Sequence, residues 1–121
     1  MGHSNCGGAA ACLAAAQAPG FVPRVPLNTV HSDPVNSPLN RWLEPLTLLA
    51  HSLQLGGTDD KALATLVEEN VKAQVTNLAH TETIINAWTK GTRKGQKVVI
   101  HGWVYDLGTG LLKDLGISRG K

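Results

Sequence analysis

The stretch Gly2 to Ala16, GHSNCGGAAACLAAA, sets a histidine and a cysteine three residues apart, directly before two glycines and an alanine-rich run. Alanine is the strongest helix former, and the preceding polar residues can cap a helix, so we expect a helix to begin near Cys6. Zinc binds histidine nitrogen and cysteine thiolate, and a catalytic zinc takes three protein ligands and one open position. His3 and Cys6 are therefore candidate zinc ligands; the alternative for a lone pair at this spacing is a turn without a metal.

The next segment, residues 17–36, contains four prolines and is expected to be ordered but irregular, because this density of prolines leaves no room for a helix or strand. Ser37 and Pro38 then form a favourable helix entrance. Pro45 lies inside that helix and is expected to kink or break it near residues 41–45. The apolar positions that recur at helical spacing, and that we expect to face the core, are Leu39, Trp42, Leu43, Leu46, Leu49, Ala50 and Leu53.

Two more helices are expected after the glycine pair at residues 56–57. Asp59 or Asp60 can cap the first of them, and a second helix restarts at Thr81 and stops at Gly91. The longer helix carries apolar residues in a three-and-four rhythm that is typical of a helix with one buried face. These positions are Leu63, Leu66, Val67, Val71, Val75 and Leu78.

The last part of the chain predicts two strands joined by a turn. Residues 97–106, KVVIHGWVYD, are β-branched and aromatic and flanked by glycines, which is typical of a strand buried on both faces. His101 would then be a hydrogen-bonded core histidine. Residues 111–118, LLKDLGIS, predict a second, shorter strand.

Composition favours one modest globular domain that spans residues 1–121, with 42% hydrophobic and 17% charged residues. Four of the eleven cations lie in residues 90–97, KGTRKGQK, without interleaved aromatics, so we expect a solvated connection and no nucleic-acid partner. We expect no membrane partner either, because no apolar run is long enough to span a bilayer. Cys6 and Cys12 are poorly spaced for a disulfide framework and no targeting segment is visible, which favours the cytoplasm.

Five stretches, in this order along the chain, resemble segments of the β-class carbonic anhydrases: GHSNCGG at residues 2–8, SPLNRWL at 37–43, EENVKAQVTNL at 68–78, INAWTKG at 85–91 and VVIHGWVYDLGTGLLKDLG at 98–116. The resemblance covers nearly the whole chain. It implies an α/β fold of the β-carbonic anhydrase type, here mostly helical with a small sheet remnant. It further implies a zinc protein that hydrates carbon dioxide reversibly to bicarbonate.

The resemblance also implies roles for single residues. His3 and Cys6 match the family's histidine and second cysteine zinc ligands, and Gly7 and Gly8 match glycines whose backbone borders the substrate pocket. The family's remaining ligand lies upstream in a Cys-x-Asp-Ser-Arg motif, which also supplies an aspartate–arginine pair. That motif does not occur in this sequence. We therefore expect a fold truncated on its N-terminal side, with zinc bound weakly or absent.

Two main hypotheses follow. In the first, the protein is active and takes a third ligand from water, a neighbouring chain or an unforeseen residue. In the second, it is a non-catalytic truncated paralogue that forms oligomers with itself or with a full-length anhydrase. A third alternative replaces carbon dioxide by carbon disulfide or carbonyl sulfide.

Cys12 is the other thiol in the chain, and it is expected to be a small buried hydrophobe. It lies about 9 Å of helical rise from Cys6, whereas zinc–sulfur bonds are about 2.3 Å long. The two thiols therefore cannot share one metal unless the helix unwinds.

Overall fold

The computed structural model describes residues 1–120. The prediction of an α/β class, mostly helical with a small sheet, is confirmed. Within the described residues the elements are β1 (Gly2–His3), α1 (Gly7–Gln17), α2 (Pro38–Leu53), α3 (Asp60–Ala79), α4 (Glu82–Lys90), β2 (Val99–Ile100), β3 (Trp103–Tyr105), β4 (Leu112–Asp114) and β5 (Arg119–Gly120).

The chain divides into two compact units. The helical unit comprises Asn5–Val67, and the mixed unit comprises Met1–Ser4 together with the chain from Glu68 onward. The expectation of one domain over residues 1–121 stays a prediction.

The helical unit begins with α1, which starts where the sequence predicts. Cys6 is its N-cap residue with an extended backbone, and the Cys6 carbonyl accepts a hydrogen bond from Ala10 N at 2.9 Å. Alanine side chains are small, so α1 can pack closely against α2. The buried residues of α1 are Ala9, Cys12, Leu13 and Ala16. Between the two helices, residues 18–37 contain no helix or strand.

Helix α2 starts as expected but buries a different face. Ser37 Oγ accepts a hydrogen bond from Asn40 N at 3.2 Å, and the helix then continues through Pro45 without a break. Its buried residues are Asn40, Leu43, Thr47 and Ala50. The predicted core positions Leu39 and Trp42 are instead 40% and 74% exposed. The prediction of the buried face was therefore wrong at these two positions, because polar Asn40 and Thr47 are buried in the face that packs.

The mixed unit has a core on the second half of α3. Four buried residues form it, namely Val71, Val75, Ala79 and Ile100, and half-buried Ile84, Trp88, Val104, Leu115 and Ile117 pack around them. Trp88 satisfies its indole N–H by donating to the Val98 carbonyl at 3.0 Å. Val71 and Val75 face this core as the sequence predicts, whereas the prediction was wrong at Leu78, which is 46% exposed.

The strands of the mixed unit form two small sheets. In the first sheet β1 pairs with β3 in parallel, and β3 pairs with β4 in antiparallel. In the second sheet β2 pairs with β5 in antiparallel. The β1–β3 register places Gly2 opposite Val104 and His3 opposite Tyr105.

The prediction of one continuous strand over residues 97–106 was wrong, because the chain changes sheets at residues 101–102. Gly102 marks the change: a Cβ there would lie 2.5 Å from Ile117 Cδ1, so any other residue would force the Ile117 side chain to move. The expectation of burial on both faces also fails, since Val99 is 48% and Trp103 37% exposed. The second predicted strand, residues 111–118, is shorter than expected, because only β4 (Leu112–Asp114) lies within it and β5 (Arg119–Gly120) follows it.

His101 is exposed rather than part of the core. Its Nδ1 shares a hydrogen bond of 2.8 Å with Ser118 Oγ, and its ring stacks on Trp103 with 5.3 Å between ring centroids. The expected hydrogen bond therefore exists, but it lies at the surface.

None of the helices found in residues 1–120 combines the length and the apolar character that crossing a bilayer requires.

Candidate functional site

His3 ends strand β1, and its side chain is exposed. The ring Nδ1 lies 2.8 Å from the carbonyl oxygen of Ser4. Because a carbonyl oxygen can only accept, Nδ1 carries a proton, and in the neutral ring Nε2 then keeps the lone pair that can bind a metal. This arrangement is the one that metal-binding histidines commonly adopt, with one nitrogen donating to the protein.

Ser4 is itself held by the end of β3. Ser4 N donates to the Tyr105 carbonyl at 2.9 Å, and Ser4 Oγ accepts from Leu107 N at 2.9 Å. Leu107 belongs to a tight turn in which Asp106 Oδ1 accepts from Gly108 N at 2.7 Å and from Thr109 N at 3.2 Å. The backbone that carries the His3 hydrogen bond is therefore fixed by a turn about a hundred residues away.

Cys6 lies at the start of α1, after a turn through Asn5. Asn5 has φ 51°, a left-handed conformation that asparagine tolerates better than most residues. Cys6 is half-buried and is the N-cap, but its side chain accepts no capping hydrogen bond from the first turn. Its thiol is therefore not used by the helix that it precedes.

Gly7 and Gly8 form the first turn of α1. Nothing lies within 4 Å of a Cβ placed at Gly7, while a Cβ at Gly8 would lie 3.6 Å from Leu43 Cδ2 and 4.0 Å from Cys6 Sγ. Within the chain itself, neither glycine is required by close packing. The first amides of a helix lack intrahelical acceptors, so the Gly7 and Gly8 N–H groups are available to another partner.

Cys12 is confirmed as a buried side chain, with no exposed surface. Its Sγ donates to the Leu43 carbonyl at 3.6 Å, and burial raises the pKa of the Cys12 thiol above its ordinary 9.0. A thiol that resists ionisation is a poor metal ligand, because zinc binds the thiolate. Cys12 is therefore a packing residue.

The remaining histidines have surroundings of their own. His31 Nδ1 lies 3.3 Å from Asn28 Nδ2, and His80 Nδ1 donates to the Thr76 carbonyl at 2.7 Å. The His51 ring lies 5.1 Å from the Phe21 ring between centroids. Across residues 1–120, no three or more His, Cys, Asp or Glu side chains are grouped so that they could hold a metal.

The donor types of the predicted pair fit zinc, but their number is one below the three of a catalytic site. Sequence reasoning proposed His3 and Cys6 and missed Ser4. The only signal for Ser4 in the sequence is that a polar residue follows the histidine. Its bond to Leu107 spans 103 residues of sequence, and no local pattern predicts such a contact.

Comparison with known proteins gives a consistent result. A family profile described as carbonic anhydrase matches residues 1–112. A solved β-carbonic anhydrase from Coccomyxa, in complex with acetazolamide, is 30% identical with a TM-score of 0.69; the match covers 98% of this chain and 46% of that one. One of two tetrameric β-carbonic anhydrases from the ascomycete Sordaria macrospora is also 30% identical with a TM-score of 0.64, and the match covers 98% and 51%.

The chain thus spans about half the length of the solved structures that it matches. The family profile nevertheless covers most of the sequence, and it includes both the HSNC stretch and the strand that holds it. The chain belongs to the β-class carbonic anhydrase family.

Proposed function

We propose that this chain contributes two zinc ligands, His3 Nε2 and Cys6 Sγ, to a site for the reversible hydration of carbon dioxide to bicarbonate. The observation that carries the proposal is the hydrogen bond from His3 Nδ1 to the Ser4 carbonyl, which leaves Nε2 free for a metal. The chain between the two residues limits the distance between their Cα atoms to about 11 Å. The pair is thus close enough in sequence to share one ion.

When bound, zinc supplies a cation that acidifies a water molecule and so provides a nucleophile at neutral pH. The chain's own residues would orient the bicarbonate anion and stabilise its negative charge. The free N–H groups of Gly7 and Gly8 lie at the positive end of the α1 dipole, where an anion is favoured. They would accordingly bind the carboxylate oxygens of bicarbonate.

The third ligand is proposed to come from outside these residues. The Cys-x-Asp-Ser-Arg motif does not occur in the sequence, and Cys12 is buried away from this role. A thiolate from a neighbouring copy or from a longer relative would complete the coordination. Zinc held by only two protein ligands would exchange quickly, so the completeness of the site governs activity.

Metal binding tests the ligands directly. The purified chain is titrated with zinc in competition with a chromophoric chelator, alongside His3→Ala and Cys6→Ser, with His31→Ala as a matched histidine control. Loss of either ligand should weaken binding by more than the roughly 10- to 100-fold that changes around a metal site cause. Unchanged affinity in both ligand variants would remove the assignment.

Stopped-flow hydration of carbon dioxide by the zinc-loaded chain tests activity. The expected result is a rate above that of buffer which depends on both His3 and Cys6. A rate equal to buffer, measured on protein that retains zinc, rejects catalysis by this chain. Repeating the assay with carbonyl sulfide and carbon disulfide tests the alternative substrates.

A second candidate function is association without catalysis, supported by an apolar stripe on α2. The stripe follows the three-and-four spacing of helix-packing surfaces and consists of exposed Leu39 and Trp42 together with half-buried Leu46, Leu49 and Leu53. Trp42 is 74% exposed, which is unusual for so large an apolar side chain. The Sordaria relatives are described as tetrameric. We infer that the stripe binds a second copy of this chain or a longer anhydrase.

Light scattering after size-exclusion chromatography separates these outcomes. The wild-type protein should have a mass in solution above that of one chain, and Trp42→Gln should lower this mass. Ile85→Gln changes an exposed residue of α4 and should leave the mass unchanged. A wild type that stays monomeric at high concentration removes the self-association proposal. Both cysteines are free, which supports the cytoplasm as the proposed compartment; imaging of a tagged chain checks this.

A further inference from the structure

Ser4 uses all three of its polar groups at one point of the mixed unit. Its N–H donates to the Tyr105 carbonyl at 2.9 Å, its hydroxyl accepts from Leu107 N at 2.9 Å, and its carbonyl accepts from His3 Nδ1 at 2.8 Å. The first two bonds fix the residue on β3 and the turn that follows. The third bond holds the His3 ring against this fixed backbone.

The chemical consequence concerns the tautomer of His3. A free neutral imidazole carries its proton on either nitrogen, and the hydrogen bond made by one nitrogen decides which nitrogen is free to bind a metal. The Ser4 carbonyl selects Nδ1–H only while it stays in place. An exposed ring such as that of His3 has water as a competing partner, so the position of this carbonyl matters.

The hydroxyl is the one of these three Ser4 groups that a substitution can remove, because the N–H and the carbonyl belong to the backbone. Without the hydroxyl, Leu107 N would lose its acceptor, and Ser4 itself would be held by its N–H alone, next to the β1–β3 pairing. The turn itself is well anchored, because Asp106 Oδ1 accepts two backbone bonds and the Asp106 carbonyl accepts a third from Gly110 N at 2.8 Å. Ser4 Oγ thus accepts from a turn whose backbone makes three hydrogen bonds to Asp106.

We propose that Ser4 is a positioning residue for His3, which holds the ring in the Nδ1–H tautomer and so leaves Nε2 free to bind a metal. The effect of Ser4 on zinc affinity rests on the proposed function. Its effect on the His3 tautomer does not, because the tautomer exists in the metal-free chain.

The test begins with the wild-type chain free of metal. Long-range ¹⁵N–¹H NMR correlations of the His3 ring report which nitrogen carries the proton at a pH where the ring is neutral. The expected spectrum is that of the Nδ1–H tautomer. A predominant Nε2–H tautomer overturns the proposal without any variant.

Variants then isolate the hydroxyl. Ser4→Ala should give a mixture of tautomers and a zinc affinity about 10-fold weaker, at the low end of effects from residues behind a metal ligand. Ser4→Thr keeps the hydroxyl and should restore both signals. Thr109→Ala is the matched control, because Thr109 Oγ accepts from Leu111 N at 3.4 Å in the same turn but does not contact Ser4.

An unchanged tautomer and affinity in Ser4→Ala, or failure of Ser4→Thr to rescue, overturns the proposal. Circular dichroism and urea unfolding verify that Ser4→Ala folds; if it does not, the wild-type spectrum still decides. If the wild type binds no zinc but shows the Nδ1–H tautomer that Ser4→Ala loses, the proposed function fails while the role of Ser4 stands.

Discussion

Helices α2 and α3 have similar sequence patterns but bury different kinds of side chain. α3 buries only apolar residues, namely Ala62, Leu66, Val67, Val71, Val75 and Ala79. α2 buries Asn40 and Thr47 together with Leu43 and Ala50, and leaves Trp42 exposed. The difference lies in what each face contacts.

The buried face of α2 contacts the irregular segment that precedes it. Because this segment belongs to no helix or sheet, its backbone N–H and C=O groups lack regular hydrogen-bond partners. Asn40 Oδ1 accepts from Val30 N at 2.8 Å, and Asn40 Nδ2 donates to the carbonyls of Val30 at 3.2 Å and Pro34 at 3.0 Å. Glu44 Oε2 accepts from Leu27 N at 3.0 Å. A helix beside such a segment must offer hydrogen-bonding side chains, because an unpaired buried amide or carbonyl costs about 1–3 kcal/mol.

The largest expected effect lies on the apolar helix. Leu66→Ala removes a fully buried side chain and should lower the free energy of unfolding by about 3–4 kcal/mol, since deletions of this kind leave a cavity. Urea denaturation measures the loss. The control on the same helix is Leu78→Ala, which is 46% exposed and should cost less than about 1 kcal/mol. Equal losses at the two positions would break the distinction between the faces of α3.

On the polar helix the corresponding change is Asn40→Ala. Its side chain is fully buried and forms a network with Asn28, Val30 and Pro34, so unfolding should become easier by about 2–3 kcal/mol. The control is Asn77→Ala, an exposed asparagine on α3, with an expected change within about 0.5 kcal/mol. Denaturant melts of both variants compare them. A loss below 1 kcal/mol for Asn40→Ala would show that the irregular segment does not depend on α2.

The buried contact between Cys12 and α2 should make stability depend on pH. Because burial raises the pKa of Cys12, the folded chain keeps this proton at pH values where the unfolded chain releases it. Its contribution is therefore complete below about pH 9.0 and decreases above it, at no more than about 1.4 kcal/mol per pH unit for one proton. Unfolding free energies from pH 8 to 10.5 measure the slope.

Cys12→Ala serves as the comparison for that slope. It should reduce the alkaline loss, because it removes the buried thiol whose pKa is raised. Identical slopes in the wild type and Cys12→Ala would indicate that other groups cause the alkaline loss.

The smallest effect is expected at Trp42. Trp42→Gln replaces a side chain that is 74% exposed, so the isolated chain should unfold within about 0.5 kcal/mol of the wild type. The measurement is made at a protein concentration low enough to prevent association. A loss of several kcal/mol there would mean that Trp42 packs within the chain, and the contrast between α2 and α3 would disappear.

The start and type of every helix could be predicted from the sequence, because caps and apolar spacing are local. Ser37 accepts from Asn40 N, and Asp59 Oδ1 accepts from Ala62 N at 2.8 Å, as their positions before the helices indicate. The core face of α2 could not be predicted, since spacing does not report that the neighbouring backbone requires donors and acceptors. The same applies to Gly102, where the chain leaves one sheet for another.

For the candidate site, the sequence predicts which residues could bind a metal or an anion, but not the hydrogen bonds that position them. The family resemblance assigns His3, Cys6, Gly7 and Gly8 by pattern, and the chemistry of imidazole and thiol follows from residue type. The Nδ1 hydrogen bond and the support of Ser4 by Leu107 depend on strand pairing between the two ends of the chain. Long-range pairing of this kind is invisible to local patterns.

The parallel pairing of β1 with β3 has a consequence for the order of synthesis. Translation proceeds at about 5–20 residues per second, so roughly 5–20 seconds separate the appearance of His3 from that of Tyr105 opposite it. During that interval β1 has no strand to join, while the sequences of α1 and α2 are completed. His3 is thus made well before the strand with which it pairs, and it can reach its final position only after that strand has been made.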